Sequence, residues 1–148
     1  METPLLSFAQ KAALLTETTS PQWGTMTAHA MLEHLTNALR LSQGKFEVEM
    51  KVGEREAAIL KRRTIGSETP LPKNIESPIA PKNTSLQYAT LAEAQAAFNS
   101  ELASYYDFFS RNPDRATLHP LFGNVNFSEW EKFHSKHFTH HFTQFGLL

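Results

Sequence analysis

An all-α fold is what this sequence predicts, and three observations carry that prediction. Apolar residues recur at three- and four-residue intervals in four separate stretches, the spacing of one buried helix face. Helix-start signals stand at the head of the later stretches: Thr27 before AHAML, Thr90-x-x-Glu93 and Ser128-x-x-Glu131. Period-two alternation is nearly absent, with Lys45–Val52 the one weak instance.

The first helix is expected over Leu5 to about Glu17, with Leu5, Phe8, Ala9, Ala12 and Leu15 on one side, before TETTSPQWG interrupts it. Thr27 is placed to cap the second, and Met26 can meet Met31 as a hydrophobic staple. Met31, Leu32, Leu35, Ala38 and Leu39 form its apolar stripe, and Gly44 suits the position just past its end. A short extra helix follows over Glu54–Arg63, closed by Gly66. Residues 67–84 contain Pro70, Pro72, Pro78 and Pro81 and little periodicity, which reads as one long irregular crossover. A long helix with Phe98, Leu102, Tyr105 and Phe109 on one face then runs to Asn112-Pro113. HPLFGNVNF is expected to be a loop, and the last helix opens at Ser128 and ends at Gly146. Neither side of the crossover could bury a core alone, so residues 1–148 make a single domain, a four-helix bundle with one short extra helix.

Composition narrows the function. A net charge of −1 offers no electrostatic footprint for nucleic acid, and Lys61-Arg62-Arg63, without interleaved aromatics, reads as a solvated helix end. No stretch approaches 18 apolar residues and no basic, apolar leader is present, so no membrane partner is expected and a cytoplasmic location is the default. The chain has no cysteine, which excludes thiolate zinc ligands, iron–sulfur ligation and a cysteine nucleophile. Any metal must be held by histidine and carboxylate.

Four of the seven histidines, His134, His137, His140 and His141, fall within eight residues of the last helix. On a helix His141 lies about 40° round from His137 and one turn on, close enough for two imidazoles to meet one ion. His134 and His140 lie about 60° to either side, which suits residues behind or beside the ligands. Two ligands from one helix leave a site incomplete. His34, mid-way along the second helix among Met31, Leu35 and Ala38, is the best third candidate. The plainer alternatives stand beside this: His34 as a hydrogen-bonded core histidine, and the His137/His141 pair as a chance of a His-rich helix. His29 and His119 read as surface or structural. Asn37 and Gln144, each three residues beyond a proposed ligand, are placed to orient it, with Glu101, Tyr105 and Asp107 as weaker candidates. A di-iron site is disfavoured because Glu131–His134 supplies the Glu-x-x-His relation only once, and Glu131 is explained by its capping box.

These residues carry a resemblance. Trp23-Gly-Thr-Met-Thr27, Met31-Leu-Glu-His-Leu35, His119-Pro-Leu-Phe-Gly123 and the closing His137-x-x-His140-His141-x-x-Gln144-Phe-Gly146 resemble a branch of the DinB-like superfamily, firmly over 21–44 and 119–147. The resemblance implies a four-helix bundle with one divalent metal on three histidines, at positions matching His34, His137 and His141. Relatives of that superfamily include transferases that use low-molecular-weight thiols such as bacillithiol or mycothiol. A small-molecule substrate, a thiol among the candidates, is the expected partner, and exposed helix faces leave room for a homodimer.

Three neutral imidazoles leave a divalent charge uncompensated and a coordination position open, as in catalytic sites. Such an ion can lower the pKa of a water or ionise a thiol. A metal-dependent transferase or hydrolase is therefore expected, with a ligand-sized pocket over the site. The alternative is a non-catalytic, stress-related binding or structural module with a sealed site. Zinc and nickel suit imidazole best, with manganese or iron as alternatives.

Overall fold

The computed structural model describes residues 1–73 and 85–148. Helices dominate: α1 (Ser7–Ala12), α2 (Ala28–Ser42), α3 (Glu54–Thr64), α4 (Leu91–Arg111) and α5 (Phe127–Gln144). A small antiparallel hairpin, β1 (Ala116–His119) with β2 (Gly123–Asn126), precedes α5. The proline-rich crossover is described only up to Lys73; the rest of that expectation lies outside the described residues.

The second helix forms as its sequence requires. The Thr27 side chain accepts from the Ala30 backbone N–H at 3.1 Å, and Gly44 takes a left-handed φ of 70° past the last turn. Met31, Leu32, Leu35 and Leu39 are wholly buried on one face, and α2 packs along α4, whose Phe98, Leu102, Tyr105 and Phe109 are buried too. In α4 the Thr90 side chain caps the Glu93 N–H, but Glu93 reaches back to the Ala89 N–H instead of to Thr90 itself. The helix stops at Arg111 because Pro113 disfavours helical backbone at Asn112, which sits at φ −134° and ψ 62°.

Three expectations need correction. The N-terminal helix is shorter than Leu5–Glu17: a 3-10 turn at Pro4–Leu6 leads into α1, which ends at Ala12. The Gln95 amide donates to the carbonyls of Ala12 and Leu15, satisfying groups that a longer helix would have bonded itself. Second, α5 is capped by Asn126, not Ser128. Asn126 and Glu129 close a reciprocal capping box two residues earlier. Both patterns have the same spacing; Phe127, with its ring 5.0 Å from that of Phe109, joins the core as the first helical residue. Asn126→Ala should therefore lower the stability by about 1 kcal/mol in urea denaturation, whereas Ser128→Ala should change it little.

Third, the fold is not purely α. The HPLFGNVNF region holds β2 and the turn of the hairpin, while 45–52 forms no strand. The inward positions of the hairpin are Thr117, His119 and Val125, mostly polar, so hydrophobic alternation could not reveal them. Thr117 Oγ1 donates to the Ser42 carbonyl at the end of α2 and accepts from the Trp130 indole N–H, each at 2.8 Å. This pins the hairpin between α2 and α5. The structure is mainly helical with one two-stranded sheet, and among the described residues no helix is long and apolar enough to cross a membrane.

Candidate metal centre

The site is built where the middle of α2 meets the C-terminal half of α5. Apolar packing around α5, through the buried Phe138 and Phe142, turns the His137 and His141 face toward α2, where His34 stands. The three histidines place one ring nitrogen each within 4.8 Å of one another. His34 Nε2 and His137 Nε2 are only 2.9 Å apart, with their rings near perpendicular. Two imidazole nitrogens at this separation share either a proton or a cation. Tetrahedral coordination at metal–nitrogen distances near 2.0–2.1 Å separates ligand nitrogens by about 3.3 Å, so to hold one ion the 2.9 Å pair would open slightly and the widest gap, up to 4.8 Å, would close by up to about 1.5 Å.

His141 is oriented by a specific partner. Its Nδ1 lies 2.8 Å from Gln144 Oε1, and the Gln144 amide N–H donates to the Trp23 carbonyl at 2.9 Å. With the amide fixed that way, Gln144 can only accept from His141, so Nδ1 carries the proton and Nε2 keeps its lone pair for the site. Gly24 makes this possible: its φ is 77°, and a Cβ there would lie 3.0 Å from the Gln144 amide nitrogen. The Trp23-Gly24 turn was the part of the site that spacing on the helices could not indicate; its signal was the Trp-Gly motif itself. His137 has no such partner among the described residues. Its Nδ1 is buried with no hydrogen bond from them, and its ring is held by packing against Phe133 and the edge of His34.

The electrostatics suit neutral ligands. Burial lowers the pKa of His34, with the neighbouring His140 adding to the effect. His137 is driven well below its ordinary value, first by burial and then by His34 and His141 beside it. Burial brings His141 down to about 4, with His34 contributing and the Gln144 bond opposing. All three rings therefore present lone pairs at neutral pH.

The other predicted residues divide. His140 sits at the rim as expected, half-buried, with its ring 5.0 Å from His141 and 5.6 Å from Trp23. His134 does not: it is fully buried one turn away, stacked on Trp130 at 5.3 Å, with Nε2 bonded to Ser42 Oγ at 2.9 Å. Because Ser42 Oγ donates to the Leu39 carbonyl, it accepts from His134, which is a core residue tying α5 to the end of α2. Asn37 is also misplaced by spacing alone. It is exposed and accepts from Arg40, since three residues along α2 leads round to the solvent side. Glu101 is engaged by Arg40, Gln43 and Lys45, Asp107 pairs with Arg111 at the surface, and Tyr105 packs on His134. Glu131 caps nothing; its carboxylate accepts from the Tyr106 hydroxyl. His29 pairs with Glu33, which also accepts from the backbone of Gln87 and Tyr88, and His119 stacks on Phe122, both structural roles. Two surface cavities, of about 260 and 340 Å³, are lined by other residues and include none of the trio.

The buried histidines make the fold acid-sensitive. Burial holds His134 at about 3 and His119 at about 4, against about 6.5 when unfolded. Between these values the unfolded chain binds more protons, so stability rises with pH across that window and is flat above about pH 7. The urea midpoint should hold from pH 8 to 7 and fall steadily from pH 6.5 toward 4, with a slope of about 1.4 kcal/mol per pH unit for each such histidine. His134→Gln should make the fall shallower by one such increment, the contribution of His119 remaining.

Among known proteins, no family model, no curated protein and no solved structure matches this chain. The case for a metal at this site therefore rests on its own geometry.

Proposed function

We propose that this chain is a metal-dependent protein of the DinB-like helical-bundle type, in which His34, His137 and His141 hold one divalent cation, zinc or nickel in preference to manganese or iron. Its activity would be transfer or hydrolysis on a small molecule, with a thiol or water as the nucleophile. The observation that carries this reading is the meeting of three neutral imidazole nitrogens, from helices a hundred residues apart in sequence, within 4.8 Å. Gln144 supports it further by holding the His141 proton on Nδ1, which leaves the Nε2 lone pair free for an ion. Bound there, the ion supplies Lewis acidity that lowers the pKa of a nucleophile placed against it. The chain's own part is to keep the three rings neutral by burial and to hold Phe133 against His137 as a shield from water. Among the described residues no carboxylate belongs to the ligand group.

Metal analysis tests this directly. Protein purified from metal-replete medium should carry about one divalent ion per chain, and His34→Ala and His137→Ala should each lose it, since two imidazoles make a weak site. A metal-free wild type would refute the reading; stoichiometric metal in both variants would refute the ligand assignment. A second reading, a structural or stress-related binding module with a sealed site, is favoured by one observation. His137 and His141 are each only 9% exposed. A screen of thiol-dependent transfer on electrophilic substrates separates the two, because only the enzyme turns over.

A further inference from the structure

Where α4 and α5 face each other, three buried polar atoms have no hydrogen-bond partner among the described residues: Tyr105 Oη, Glu131 Oε1 and His134 Nδ1. They belong to neighbouring side chains. The Tyr105 ring lies edge-on to His134 with centroids 5.1 Å apart, and Glu131 precedes His134 by three residues on α5, one turn away on the same side. Tyr105 and His134 are wholly buried, walled by Phe109, Phe127, Trp130 and Phe138. Burial, and then the Glu131 carboxylate facing it, push the pKa of the Tyr105 hydroxyl up, so it stays an O–H donor at neutral pH. An unbonded polar group in a core carries its full desolvation cost, and native cores rarely hold three side by side.

Hydrogen-bond directions around the cluster fix what each atom needs. The Ser42 hydroxyl donates to the Leu39 carbonyl and so accepts from His134 Nε2, which leaves Nδ1 as a lone pair in need of a donor. Tyr106 Oη accepts from the Leu5 N–H at 3.0 Å and donates to Glu131 Oε2 at 3.2 Å. The other carboxylate oxygen, Oε1, is then a second acceptor, and Tyr105 Oη supplies the one donor. A single proton serves only one of two acceptors, so direct bonding within the trio leaves one of them unmet. Two acceptors and one donor are the complement of a water molecule, which offers two O–H groups and accepts through its oxygen. A metal cation would meet Nδ1 and the carboxylate but give the Tyr105 proton no acceptor.

We propose that Tyr105, Glu131 and His134 form a binding site for one internal water, which accepts from Tyr105 Oη and donates to Glu131 Oε1 and His134 Nδ1. The water closes a hydrogen-bonded chain that starts at the Leu5 N–H in the N-terminal 3-10 turn. The chain runs through Tyr106, Glu131 and His134 to Ser42 and the Leu39 carbonyl near the end of α2. One buried molecule thereby ties the N-terminal turn, α4, α5 and α2 together, whether or not the three-histidine site holds a metal.

A crystal structure of the full chain, at a resolution that shows ordered solvent, is the direct test. It should contain one solvent peak within about 2.6–3.2 Å of all three atoms. Oxygen-17 relaxation dispersion of the solvent counts long-lived internal waters in solution. Tyr105→Phe should lose about one of them relative to wild type. Tyr88→Phe, which removes a hydroxyl bonded to Arg40 instead, should lose none. A dry cluster, with Tyr105 Oη bonded directly to Glu131 or His134, would overturn the proposal. So would a peak with anomalous scattering and contacts of about 2.1 Å, the mark of a metal ion. A water count that Tyr105→Phe leaves unchanged would count equally against it. Should Tyr105→Phe fail to fold, the solvent peak in the wild-type crystal decides alone.

Discussion

Chelation should lower the melting temperature of the metal-loaded protein by about 12 °C, and the same treatment should leave His34→Ala unmoved. The size follows from linkage: a ligand present at a thousand times its dissociation constant stabilises the native state by about 4 kcal/mol. For a chain of this length each kcal/mol is worth about 3 °C. The ion would join α2 to α5, so its loss leaves His34 and His137 with nitrogens 2.9 Å apart and a proton as the only remaining link. His137 Nδ1 is buried and unbonded among the described residues, a cost that the ion's binding would help offset. His34→Ala removes the ligand from α2 while the pair on α5 remains, and two imidazoles on one helix hold metal too weakly to register. Circular dichroism melts with and without EDTA, on wild type and variant, measure both. A wild-type transition that ignores the chelator would count against a metal of any structural weight.

Trp130→Ala should cost about 4 kcal/mol in urea denaturation, a large share of the 5–15 kcal/mol typical of a domain. Trp130 is wholly buried, so truncation opens a cavity beneath β1 and α5. It also removes the donor that Thr117 Oγ1 accepts from, in a chain running through the Ser42 carbonyl to the end of α2. The stacked partner, His134, loses one wall of its pocket. Trp130→Phe separates the two effects: most of the volume returns, the hydrogen bond does not, and the loss should shrink to about 1–2 kcal/mol. Metal content should be retained in Trp130→Phe, because Trp130 lies nearly two turns from His137 along α5. Loss of metal there would mean that the core network and the metal centre are a single cooperative unit.

Local chemistry made much of this protein legible before any coordinates. The start of α2 follows from Thr27 and its end from Gly44, and α4 runs from Thr90 to the residue before Asn112-Pro113, because caps and prolines act on neighbouring backbone. The His137/His141 pair and Gln144 were readable because a helix converts spacing into direction. The same rule misjudged Asn37 and His134, since spacing orders residues around a helix and says nothing about which neighbours surround it. At Asn37 the outward side of α2 took over; at His134 the core did, through Ser42 and Trp130.

What the sequence alone determined, then, was helix identity, helix limits to within a turn or so in the middle of the chain, and the angular placement of donors on each helix. Only the tertiary structure decided three further things. It made the hairpin, two of whose three inward residues, Thr117 and His119, are polar and hydrogen-bonded, so no apolar alternation announces it. It chose Asn126 over Ser128 by packing Phe127 against Phe109 at the edge of the core. It brought the Trp23-Gly24 turn under Gln144 and Lys73 over Trp23, contacts that depend on where two distant chain segments come to rest. The physical reason is common to all three: each depends on contacts with residues remote in the chain, and local propensity holds no record of them.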